Sequence, residues 1–156
     1  ALVFTSLFNS FVFDFTLRQS MGETNLNLYV LKQLPMPSPR TIRSHSLIMD
    51  GSTESLEDFL IHHTIRLVWT SHALDSLSAS MESDSGPFVW KVEDRRERRA
   101  KIDAAIAQIY GLERNEFEYI LDDFEILRNR EIEEYDEYLT KSKCLEYYDK
   151  IELNRA

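Results

Sequence analysis

From Ala1 to Phe13 the chain carries no charged side chain, and between Leu2 and Leu17 ten residues are apolar, five of them phenylalanine. The spacing 4, 7, 8, 11, 12, 15 is helical. A helix without a polar face belongs inside a larger body, so a helix over residues 2–18 demands partners on every side. The expectation is that Ala1 is a cut edge with the missing partners upstream. Left uncovered, the same helix offers a surface for a homo-oligomer. The segment does not read as a signal peptide, because it lacks a basic leader and a small-x-small cleavage site, and Asp14 interrupts it. Its 13 uncharged residues fall short of the roughly 18 or more of a spanning helix. No membrane partner is expected.

The other 138 or so residues must therefore be read for partners and chemistry. A chain of 156 residues fits one domain, or one domain with a fragment of another. One cysteine, Cys144, rules out an internal disulfide and a cysteine-based zinc site, and favours a cytoplasmic setting. The net charge of −9 is uneven: residues 1–50 balance to +1, 51–90 to −5, 91–101 to +3 and 102–156 to −8. Without a broad basic field, any DNA contact has to be local.

The chain is expected to be mainly α, a bundle-like helical block with a short β or extended element. Gly22 is placed to end the first helix, and Thr24–Val30 to give a short strand. Pro35, Pro37 and Pro39 force an extended path, which puts a boundary near residue 39 and a connector over 40–53. Ser52 or Thr53 then caps a helix carrying Glu54, Glu57 and Asp58 in its first turns, with a break near Thr70-Ser71. The clearest helix is DRRERRAKIDAAIAQIYG, ending at Gly111; another follows in ERNEFEYILDDF, and one more near 142–152.

No catalytic constellation is present. No Gly-x-Gly and no His-Glu-x-x-His occurs, and His63 and His72 are nine apart, on opposite helix faces. Cys144 has no activating base nearby in sequence. NREIEEYDEY lacks the calcium-loop pattern and reads as a solvated acidic stretch. KVEDRRERRAK has two readings. Pairs Asp94–Arg98, Glu97–Lys101 and Glu93–Arg96 make a salt-bridged helix start, or Arg95, Arg96, Arg98 and Arg99 meet phosphate or an acidic partner.

Two segments resemble a known family. NSFVFDFTLRQSMGETNLNLYVLKQLPMPSP, with Arg18-Gln19, Gly22, Asn25-Leu26-Asn27 and Leu34-Pro35-Met36-Pro37, resembles the end of the target-recognition domain in adenine-N6 DNA methyltransferases and type IIG restriction-modification enzymes. PFVWKVEDRRERRAKIDAAIAQIYGLERNEFEYILDDF, with Trp90, Asp103-Ala104, Ile109-Tyr110-Gly111-Leu112 and Tyr119-Ile120-Leu121, resembles their C-terminal helical block. The chain departs from the family at Ser20 and Glu23, and lacks the Asn/Asp-Pro-Pro-Tyr/Phe motif, the S-adenosylmethionine site and a nuclease motif.

The resemblance implies residues 1–39 as the end of a target-recognition domain, 40–53 as a linker and 54–156 as a helical C-terminal domain. It implies double-stranded DNA and the upstream catalytic and recognition domains as partners. S-adenosylmethionine would be the parent enzyme's cofactor, with none held here and no metal. Arg18, Gln19, Asn25 and Lys32 are the expected DNA contacts, and Arg40 and Arg43 the phosphate contacts. The other reading is a helical protein–protein interaction module without a DNA role, suggested by the acidic tail and its clustered tyrosines.

Overall fold

The computed structural model describes residues 1–21, 28–78 and 86–155. It is mainly α with a short β element. The apolar opening is not one helix. It breaks at Asn9-Ser10 into α1 (Leu2–Phe8) and α2 (Phe11–Ser20). Ser10 caps α2: its Oγ accepts from the Phe13 amide at 3.2 Å and donates to the Leu7 carbonyl at 2.8 Å. Two short helices can turn different faces inward, which relieves the demand for partners all round. Leu2 and Leu7 seat α1 against α5, and Val12 and Phe13 seat α2 near α7 and α8. Across the break, the rings of Phe4, Phe8 and Phe13 stack in sequence, with centroids 4.1 and 4.4 Å apart.

Gly22, Asn25 and the start of the expected Thr24–Val30 strand lie outside the described residues. The end of that strand is instead helical, within α3 (Leu28–Gln33). Leu31 and the buried Leu34 keep a helical spacing of three. Ser38 caps α4 (Pro39–Arg43), accepting from the Thr41 amide at 3.0 Å, with Pro39 in the first turn.

Residues 40–53, expected as a connector, hold most of α4, strand β1 (His45–Met49) and the first half of β2 (Ser52–Ser55). The two strands form a hairpin through Asp50 and Gly51, at φ 50° and 78°, the two left-handed positions of a type I′ turn. Strand β3 (Glu152–Arg155) pairs on the other side of β1, giving an antiparallel sheet in the order β2-β1-β3. Leu47 faces both Glu54 and Leu153 in register and is buried.

Because Ser52 and Thr53 belong to β2, the cap of α5 (Leu56–Val68) is Ser55, whose Oγ accepts from the Asp58 amide at 3.0 Å. The helix stops at Trp69, beside the expected break, and a 3-10 turn (His72–Leu74) leads into α6 (Asp75–Ser78). Helix α7 (Val92–Ile109) is the centre of the molecule, packing on α2, α5, β3 and α10. Its halves differ. The first is charged, while Ala100, Ala104, Ala105 and Ala107 are buried on several sides of the second. Side chains this small let neighbouring helices close in around it. Its end is a Schellman motif: Gly111, at φ 74°, donates to Gln108 and Leu112 donates to Ala107.

Helices α8 (Arg114–Asp122), α9 (Glu125–Tyr135) and α10 (Leu139–Lys150) complete the chain. Much of the acidic NREIEEYDEY stretch is thus the body of α9, and the helix expected near 142–152 starts three residues sooner and yields to β3. Polar side chains brace the helix ends. Gln108 donates to the Tyr148 and Ile151 carbonyls, Tyr138 to Leu121 and Tyr148 to Leu112, each at the last turn or edge of an element. One buried cluster runs from Leu7 and Val12 through Ile42 and Leu47 to Ile106, Phe117 and Leu145, so all three expected segments feed it. No described helix is long and apolar enough to cross a membrane.

Candidate functional site

The charged half of α7 forms one wall of a cavity of about 580 Å³, with α9 opposite and the start of α2 at its floor. Four arginines line it: Arg95, Arg96 and Arg99 from α7, and Arg130 from α9. The spacing 95, 96, 99 puts three guanidiniums on neighbouring faces of one helix. Two lie over aromatic rings, Arg95 over Trp90 with 3.5 Å to the centroid and Arg96 over Tyr135 with 5.0 Å. Arg95 also donates to the Leu67 carbonyl at 2.7 Å. Burial and the charge of Arg99 lower its pKa, so positive charge is crowded here.

Arg99 and Arg130 have no hydrogen-bond or ion-pair partner among the described residues. The cavity's acids are engaged. Glu131, buried, accepts from the Thr140 amide at 2.7 Å and its hydroxyl at 2.6 Å, at the positive start of α10. Glu134 stands close enough to the Tyr135 hydroxyl to raise its pKa. Asp103 accepts from the Phe11 amide at 2.8 Å, satisfying a donor at the first turn of α2. Burial pushes the Asp103 carboxyl up to about 7, against the opposing pull of the Phe11 amide and Arg99. Cys144, also on the wall, is fully buried, and burial raises its thiol well above the ordinary range, which favours the protonated form.

Of the three expected pairs on this helix, Asp94–Arg98 forms, at 2.8 Å. Glu97 turns instead to Lys143 at 3.0 Å and to the Tyr147 hydroxyl, and Lys101 lies over the Tyr147 ring. Arg98 also bonds His63 at 3.1 Å, and burial with nearby cations holds that imidazole down at about 3, neutral at physiological pH. The arginine run therefore divides: Arg98 is structural, while Arg95, Arg96 and Arg99 face the cavity.

The residues expected to touch DNA are not gathered at this site. Arg18 grips Asp14 at 2.8 and 3.1 Å and lies over the Phe124 ring. Gln19 is exposed beside it, and Asn25 lies outside the described residues. Lys32 and Arg40 are exposed on α3 and α4 without an ion-pair partner among the described residues. Arg43 pairs with Glu57 at 3.5 Å, at the edge of a second, apolar cavity of about 830 Å³ between α1, α4 and α5. Arg130 escaped the sequence reading because it sits in an acidic stretch, 31 positions after Arg99, and only the α7–α9 arrangement brings them together. Among the described residues no group of His, Cys, Asp and Glu has the arrangement of a metal site.

Comparison of the chain with protein-family models, with curated proteins and with solved structures returns no match.

Proposed function

We propose that this chain is the C-terminal, DNA-recognising and scaffolding part of a site-specific adenine-N6 DNA methyltransferase of a restriction-modification or phage-defence system, working in the cytoplasm and non-catalytic by itself. One observation carries the reading. Residues quoted from the two family-like segments are each other's partners. Asp103 of the second segment caps the helix of the first at Phe11; the Tyr110 hydroxyl donates to the Pro35 carbonyl at 2.9 Å. Phe124 meets Phe11 edge-on at 4.7 Å and lies under Arg18. Two motifs that recur together in one family would be expected to fit together.

In this proposal the parent enzyme flips the adenine and transfers a methyl group from S-adenosylmethionine, and both steps belong to domains outside this chain. The chain contributes recognition through the exposed side of α2, α3 and α4, and a helical brace. Lys32 and Arg40 are the stronger phosphate candidates, because Arg18 and Arg43 are already opposed by carboxylates. The interaction-module reading is less well supported, since Tyr138, Tyr147 and Tyr148 of its suggested surface spend their hydroxyls on internal bonds.

The test is the salt dependence of binding to a short labelled duplex. Lys32→Gln with Arg40→Gln should lower the log–log slope by about 2. Absence of duplex binding even at low salt would refute the recognition role.

A further inference from the structure

We infer that the arginine-lined cavity between α7 and α9 is a second DNA contact, one that takes a backbone phosphodiester on Arg99 and Arg130. The inference rests on the DNA reading above for the source of the phosphate; the geometry of the cavity is independent of it. In a chain of net charge −9, four guanidiniums converge on one cavity. The asymmetry in how its charges are used points to an anion. Glu131 has both oxygens occupied by Thr140, and Asp103 holds the Phe11 amide. Arg99 and Arg130 are left without a hydrogen-bond or ion-pair partner among the described residues. Guanidinium forks match the oxygens of a phosphate in bidentate fashion.

Arg95 and Arg96 define the rim. They lie over Trp90 and Tyr135, contacts that lower the cost of ordering the charge they add on binding. Trp90 remains 63% exposed, leaving ring surface beside the cavity for a sugar or an unstacked base. At about 580 Å³ the space falls within the range of small-ligand pockets, ample for a phosphate with its flanking sugars. Asn9 and Phe11, at the junction of α1 and α2, supply the floor, while Arg130 and the opposite wall come from α9 and α10, beyond the two family-like segments.

Substitution separates this contact from the one on α3 and α4. Anisotropy of a labelled duplex is read with the intact chain, with Arg99→Gln/Arg130→Gln, with Arg99→Lys/Arg130→Lys and with Lys32→Gln/Arg40→Gln. Both cavity arginines are exposed, so the variants should keep the parent's thermal midpoint. The glutamine pair should weaken duplex binding about tenfold or more and flatten the salt slope by about 2, with the lysine pair recovering most of the slope. Unchanged affinity in Arg99→Gln/Arg130→Gln, with a loss in Lys32→Gln/Arg40→Gln, overturns the cavity contact and leaves the DNA reading standing. Absence of duplex binding, with direct calorimetric binding of adenosine monophosphate that Arg99→Gln/Arg130→Gln abolishes, overturns both and assigns the cavity to a free phosphoryl ligand.

Discussion

Replacing Asp103 by Asn should change how stability depends on pH. The carboxyl is buried among Ala100, Cys144 and Phe11 and its acidity is shifted from 3.8 to about 7. A group whose folded pKa is raised contributes most below its unfolded value, and that contribution is lost as pH rises through the folded one. At about 1.4 kcal/mol per tenfold, the full loss is about 4 kcal/mol, and the part falling between roughly pH 5 and pH 8 is about 2.5 kcal/mol. Asn keeps an oxygen for the Phe11 amide at similar size but never ionises. The difference between variant and parent cancels every other carboxylate. Urea unfolding across that range should therefore show Asp103→Asn gaining on the parent by about 2–3 kcal/mol as pH rises. Parallel curves, with a swing below about 0.5 kcal/mol, would falsify the claim that the folded protein disfavours the charged carboxylate.

Three other substitutions probe the frame. Phe117→Ala, at a fully buried site facing Tyr148, should cost about 3–5 kcal/mol in chemical denaturation; a cost under about 1 kcal/mol would mean that the site collapses or was never packed. Glu131→Ala strips both bonds from Thr140 and should cost about 2 kcal/mol, with faster amide exchange at the start of α10 as the local readout. Gly51→Ala meets no atom within 4 Å, so its cost of about 1 kcal/mol would come from the left-handed φ alone. A thermal midpoint unchanged in that variant would refute the type I′ assignment.

What could be read from the sequence was local. Helix α7 and its stop at Gly111 were legible because the cap and the apolar spacing sit within a few residues of each other, and α8 likewise. The break at Ser10 was missed because an all-apolar surround hides a capping serine: its oxygen serves Phe13 three residues ahead, while periodicity counts only carbon. Asp50-Gly51 did carry a hairpin signal, but the flanking SHSLIM and STES lack clean alternation. Strand β3, ELNR, has almost nothing apolar and owes its state to β1. The cavity was half legible. The arginines of α7 announce positive charge, yet which of them are spent on Asp94 and His63, and that Arg130 joins them, are facts of tertiary contact.

The place of β1 in the middle of its sheet has a consequence during synthesis. Its first neighbour, β2, is made a few residues later, whereas its second begins about 100 residues downstream. At roughly 5–20 residues per second, a ribosome takes about 5–20 s to deliver β3. Until then the nascent hairpin presents a row of unpaired amides and carbonyls, the kind of edge on which another chain can template, and for much of that time Phe15 and Phe11 wait for Tyr119 and Phe124. Chaperone contact with the growing chain should concentrate in that interval and end when residues 152–155 emerge.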